Sequence, residues 1–155
     1  MTTSATPSTI YAALTKTILA LTPRGGSKGR LHFMYAGGDF SFETLSDEKV
    51  DRCFSFPSDN GLGFNMERKS TGDGAGGQIN DRLVLVIGHR QFAEEKDYRD
   101  RVAEDVSQLI DTLEKPANYP DGVWRIGKGK GVPKKMADRT ITTITWEIEY
   151  YGLQP

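Results

Sequence analysis

The chain has 155 residues, with 20 Lys and Arg against 21 Asp and Glu and a formal net charge of −1. That length suits one domain, and 37% apolar with 26% charged residues excludes a disordered chain. A single cysteine, Cys53, excludes an intramolecular disulfide framework and a cysteine-cluster zinc site.

No apolar run approaches the ~20 residues of a membrane span. The longest candidate, Ile10 to Leu21, is interrupted by Thr15, Lys16 and Thr17 and lacks the basic start of a signal peptide. A cytoplasmic, reduced product is the resulting expectation. Glycine is the unusual residue: 17 are present, clustered at 25–38, 61–77 and 122–131. Clustering of this kind marks turns and loops.

In chain order, Thr6-Pro7 reads as an N-cap and a first helical proline. Ile10, Tyr11, Leu14, Ile18 and Leu21 then fall on one helical stripe, stopped by Pro23 and Gly25-Gly26. Gly29 to Ala36 alternates as a strand, with Leu31, Phe33 and Tyr35 on one face. Gly37-Gly38 turns the chain, and Phe40 and Phe42 suggest a returning strand of a hairpin. Arg52 to Phe56 is a further short strand, ended by Pro57.

Residues 58–80 show little periodicity, and so long a loop is usually functional, disordered or an assembly arm. Arg82 to Ile87 is apolar on both faces, as a central strand is. Tyr98 to Glu114 reads as a helix that buries Val102, Val106, Leu109, Ile110 and Leu113. Its Arg99, Arg101, Glu104, Asp105 and Asp111 are expected to face water. Gly122 to Ile126 is a short strand and Thr140 to Tyr151 a long one, with Ile144, Trp146, Ile148 and Tyr150 inward and its other face wet. Between them, 127–139 reads as a long basic connection. The order predicts a single α+β domain over 1–155, an antiparallel or mixed sheet packed by two amphipathic helices, with 58–80 and 127–139 as extended glycine-rich and basic arms.

Signs of chemistry are sparse. Gly127-Lys128-Gly129-Lys130-Gly131 lacks the Ser or Thr and the following helix of a phosphate-binding loop. The glycine run at 71–77 has too few carboxylates for a calcium loop. Cys53 reads as a buried small hydrophobe. His32 and His89 have no motif around them and read as packing or rim residues. Neither catalysis nor a metal or other cofactor is expected.

The basic segment carries more information. From Arg125 to Arg139 the chain holds six cations, Arg125, Lys128, Lys130, Lys134, Lys135 and Arg139, against Asp138 alone. That local charge of +5 leaves −6 for the remainder. Three readings stay open for it: nucleic-acid phosphate binding, contact with a neighbouring subunit, or a solvated loop. In the 58–80 loop, Leu62, Phe64 and Met66 read as candidate interface anchors. Two long arms on a domain without catalytic motifs favour assembly.

Four stretches carry a resemblance: the amphipathic opening 10–21, RLVLVIGHR at 82–90, RVAEDVSQLIDTL at 101–113 and the closing TITTITWEIEYYG at 140–152. In their order over nearly the whole chain they resemble the tail terminator proteins of long-tailed bacteriophages. The resemblance implies a structural virion protein of the tail or neck, made in the host cytoplasm. Such proteins form a ring, typically a hexamer, that caps the tail tube, stops its polymerisation and joins it to the head connector. DNA passes through the lumen without specific binding, and no membrane is involved. In that setting Lys128, Lys130, Lys134 and Lys135 would lie on subunit or partner interfaces, with Leu62, Phe64 and Met66. Another neck component, such as a connector or stopper, is the alternative within this class. A small nucleic-acid-binding module using the 125–139 segment is the alternative outside it.

Overall fold

The computed structural model describes residues 4–26, 29–37, 41–69, 77–92 and 94–152. Among these lie three α-helices and a six-stranded mixed sheet. Helix α1 spans Pro7–Leu19, α2 Asp47–Val50 and α3 Glu95–Glu114. The strands are β1 (Met34–Tyr35), β2 (Cys53–Ser55), β3 (Glu67–Lys69), β4 (Gln78–Arg90), β5 (Val123–Lys135) and β6 (Arg139–Tyr151). The sheet order is β1-β2-β4-β6-β5, with β3 also paired to β4. Because β6 runs along the whole of β4 on one side, β2 and β3 both lie on its other side. Only β1 and β2 pair in parallel.

Helix α1 begins as its sequence predicts. The Thr6 hydroxyl accepts from the Thr9 amide, the Thr9 hydroxyl accepts from the Thr6 amide, and Pro7 follows. Its Ile10, Leu14 and Ile18 join one core with the inward face of the sheet: Ile79, Leu83, Leu85 and Ile87 of β4, and Ile144, Trp146, Ile148 and Tyr150 of β6. The alternation read for the last strand is therefore the one observed, and β4 is central. The outer face is only partly wet. Val50 packs on Gly88, Arg139 donates to the carbonyls of Phe42 and Leu45, and Val84 and Glu149 are buried.

Several expectations are corrected. Residues 127–139 are not an arm: β5 continues to Lys135 and pairs with β6 as a 13-residue strand, bulged between Gly127 and Lys130. The Gly-Lys alternation is a strand pattern. After the bulge Gly131 pairs with Ile144 on the inward face, while Lys130 pairs with Thr145 on the outer one. A Cβ on Gly129 would collide with the Trp146 indole, and one on Gly131 would lie 2.9 Å from Val106 Cγ1. Glycine thus lets the strand lie close on α3. Loop 58–80 is interrupted by β3 and shortened at its end by β4, and residues 70–76 of it lie outside the described residues.

Gly29 to Ala36 contributes only Met34 and Tyr35 to the sheet, and these pair in parallel with β2 and not in a hairpin with residues 41–43. Residues 42–44 turn instead, while Phe40 lies outside the described residues.

Candidate functional site

The densest chemistry in the fold is buried. Asp105 of α3 accepts from Arg52 Nε at 2.7 Å, from His89 Nε2 at 2.8 Å and from the Gly25 amide at 3.0 Å. Beside it, Asp51 forms a two-pronged pair with Arg101, whose Nη2 lies 2.9 Å from Oδ2, and accepts the Arg30 amide at 2.9 Å. Arg52 and Arg101 both donate to the Arg30 carbonyl. The side chains of Arg52, His89 and Asp105 are 0% exposed. Arg101 and Asp105, expected to face water, are instead at the centre of the protein.

The reason is the true buried face of α3, which runs Tyr98, Arg101, Asp105, Gln108, Leu109 and Leu113. Charged residues are tolerated on it because each charge meets an opposite one in hydrogen-bonding geometry. The same cluster explains why 29–33 is no strand. The Arg30 amide and carbonyl are both bonded by side chains of the cluster, so they are not offered to a ladder. Gln108 holds the segment after α1, accepting from the Arg24 amide and donating to the Thr22 carbonyl. Gly29, at φ +73°, has no room for a Cβ between Asp51 and Phe92.

Burial drives the His89 imidazole below its ordinary pKa, against the pull of Asp105. For Asp105 burial acts upward, but the bonds from His89 and Arg52 outweigh it and hold the carboxyl below its ordinary range. Since Asp105 is ionised and accepts, His89 is neutral with its proton on Nε2. The side chains of His89, Asp105 and Arg52 are closed to solvent, while Asp51 and Arg101 of the same cluster border surface pockets. Cys53 is buried on the sheet's other face, and burial raises its thiol pKa. Among the described residues no three His, Cys, Asp or Glu side chains converge to hold a metal ion.

The accessible features lie on the two flanks of the sheet. On the β1/β3 side of β4, Phe64 is 67% and Met66 46% exposed, and Leu31, Met34 and Tyr35 are exposed as well. Leu62 is different: it is buried, its amide donates to Tyr11 Oη at 2.9 Å, and it pins the loop to its own core. The next amide, of Gly63, donates to buried Asp81 at 2.8 Å, which also accepts from Tyr150 Oη. Phe64 and Met66 thus stand on a well-anchored base.

On the β5 flank, Trp124 and Val132 are exposed. Here α3 and the β5–β6 hairpin enclose an apolar groove of about 540 Å³ lined by Val102, Val106, Ile110, Gly131, Pro133 and Thr142, among others. Val102, Val106 and Ile110 are expected from the sequence in the buried stripe with Leu109 and Leu113. They lie at its edge and are only partly covered.

The four candidate lysines do not form one site. Lys128, at φ +57°, and Lys130 lie along the outer-face groove with Arg82, Arg125, Glu67, Glu147 and Glu149. Lys134 lies 3.4 Å from Glu43, whereas Lys135 points to the inward side and lines the apolar groove. Glu147 and Glu149 hold Arg125 at 3.3 and 3.4 Å, and Glu147 is 3.7 Å from Lys128. Within the segment, Arg125 and Lys128 are thus paired with carboxylates of the sheet, and Lys134 and Arg139 with Glu43, Asp47 and Asp138 beside it.

No helix among the described residues is long and apolar enough to cross a membrane. No family model and no curated protein matches the chain.

Proposed function

We propose that this chain is a non-enzymatic assembly protein that closes head-to-tail into a ring, and that the ring ends a phage tail tube in the manner of the tail terminators it resembles. Its partners are then further copies of itself, the tube protein and the head-side connector or stopper, and its place is the tail or neck of the virion.

One observation carries the reading: the sheet has two unlike flanks, each with exposed large apolar side chains. A head-to-tail ring requires two different surfaces on each subunit, where a twofold dimer uses one surface twice. Apolar patches rimmed by polar groups are where soluble proteins meet partners. Simple strand addition suits neither flank. Strand β1 is two residues long, and β5 carries a bulge, Pro133 and four lysines, all devices that blunt a sheet edge. Side-chain docking is left as the mode of contact.

The nucleic-acid alternative is disfavoured by the pairing of Arg125 and Lys128 with Glu147 and Glu149 and of Lys134 with Glu43. Native mass spectrometry across a concentration series, alone and with tail tubes, tests the ring. A single closed oligomer of fixed stoichiometry is expected. A chain that stays monomeric in both settings, or grows as an open-ended polymer, overturns it.

A further inference from the structure

We infer that the apolar groove between α3 and the β5–β6 hairpin is a binding site for a neutral single-chain amphiphile, an alkyl chain of about ten carbons with a hydroxyl or carbonyl head. The site stands apart from the ring reading, and either can fail without the other.

The groove is an incompletely covered part of the core. The apolar arc of α3 is wider than the face the sheet covers, and it runs on through Val102, Val106 and Ile110. Over these residues the hairpin presents Gly131 and Pro133, which add little apolar bulk, so a cleft of about 540 Å³ remains. That volume suits a small molecule, whose sites run to roughly 300–1,000 Å³. Trp124 and Val132, the exposed apolar side chains that a protein partner would meet on this flank, do not line it.

Its two ends differ in chemistry. At one end α3 lies close over the glycines of β5, where an added Cβ would stand 3.0 Å from Ile110 Cγ2 at Gly129 and 2.9 Å from Val106 Cγ1 at Gly131. Towards the hairpin's turn the lining becomes hydroxylic. Thr142 pairs with Pro133, Thr140 pairs with Lys135, and Tyr98 lies within reach of the Asp138 charge. From Tyr98 to Ile110 the helix rises about 18 Å at ~1.5 Å per residue, room for an extended chain of about ten carbons.

The hydroxylic end selects the head group. Tyr98 is 4% and Thr142 1% exposed, and the hydroxyl oxygen of each is buried without a hydrogen-bond partner. A buried hydroxyl left unpaired is costly, and native folds pair the large majority of them. Burial pushes the Tyr98 pKa up to about 12, so its hydroxyl keeps its proton and donates. A ligand oxygen at this end accepts from these hydroxyls, while the chain behind it covers the open side of Val102, Val106 and Ile110. The head is neutral because Arg99 and Lys135, the cations of the lining, already hold interactions within the chain.

Isothermal titration calorimetry of the full chain with 1-decanol, below its solubility limit, tests the site. Saturable binding of one decanol per chain is expected. Tyr98→Phe combined with Thr142→Val removes both hydroxyls at nearly constant size and should weaken binding about tenfold or more, as loss of two hydrogen bonds does. The urea midpoint of that double variant without decanol should equal or exceed that of the unmodified chain, since no hydrogen bond of the fold is lost. Ala103→Trp, at an exposed position of the groove wall, fills the cleft and should abolish binding while circular dichroism stays that of the unmodified chain. Absence of saturable binding to the folded, unmodified chain overturns the site. Binding unchanged by either variant overturns it too, because the decanol then lies elsewhere or uses no head group. A lowered midpoint in the double variant would show that the two hydroxyls serve the fold, and would overturn the head-group assignment.

Discussion

At the scale of single residues, the cluster around Asp105 makes the strongest predictions. In the folded chain His89 resists protonation, whereas in the unfolded chain it titrates near its ordinary 6.5. Below about that pH the unfolded state binds the extra proton, so stability falls as pH falls, with a limiting slope of about 1.4 kcal/mol per pH unit. Asp105 adds a second loss below the ordinary carboxyl value of 3.8, because its folded pKa is held lower. Urea unfolding at a series of pH values from 7.5 to 4.5 reads the His89 effect. His89→Gln, which keeps a donor toward Asp105, should flatten the slope between pH 6.5 and 5; an unchanged slope would place the responsible group elsewhere. Asp105→Asn leaves the Arg52 guanidinium buried without its counter-charge, and a loss of about 3–5 kcal/mol is expected. Denaturation midpoints equal to those of the unmodified chain would show that the cluster is not the fold's keystone.

At the scale of elements, the β5–β6 hairpin depends on glycine facing α3. Gly129→Ala forces a Cβ into Trp146 and should destabilise by about 1–3 kcal/mol, as overpacking does. Lys130→Ala, on the opposite face of the same strand, should stay within ~0.5 kcal/mol. Equal effects at the two positions would contradict the inward and outward alternation.

Apolar periodicity made α1, α3, β4 and β6 legible in the sequence, because each carries side chains whose spacing matches its geometry. The middle of strand β5 hides from that criterion: its inward positions 129 and 131 are glycines that leave room for Trp146 and Val106, so the period-2 signal there is Gly against Lys. The 29–33 segment misleads in the other direction, since its alternation is real while its backbone groups are taken by Asp51, Arg52 and Arg101. The charged face of α3 was readable in principle. Arg101, Asp105 and Gln108 fall four and three residues apart in register with Tyr98 and Leu109 (the spacing of a buried face), but the partners of the two charges, Asp51 and Arg52 before β2 and His89 of β4, are distant in sequence. Of the candidate site, Phe64 and Met66 were legible as apolar residues without a periodic element. Leu62 was indistinguishable from them until Tyr11 and Asp81 fixed the loop.

At the scale of the whole molecule, charge and shape separate assembly from nucleic-acid binding. The net charge is −1, and much of the basic 125–139 segment is paired within the chain. Retention on immobilised DNA should be weak and vary little with salt, since few phosphates would release their counterions. Tight retention that falls by orders of magnitude between low and moderate salt would favour the nucleic-acid module instead. The ring we propose would use two unlike apolar flanks on one small domain.

The most direct measurement is electron microscopy of growing tail tubes from the cognate phage, with and without the purified protein. The account predicts a ring of density at one tube end and arrest of further lengthening. Tubes that stay bare and keep growing in the presence of the protein would contradict it.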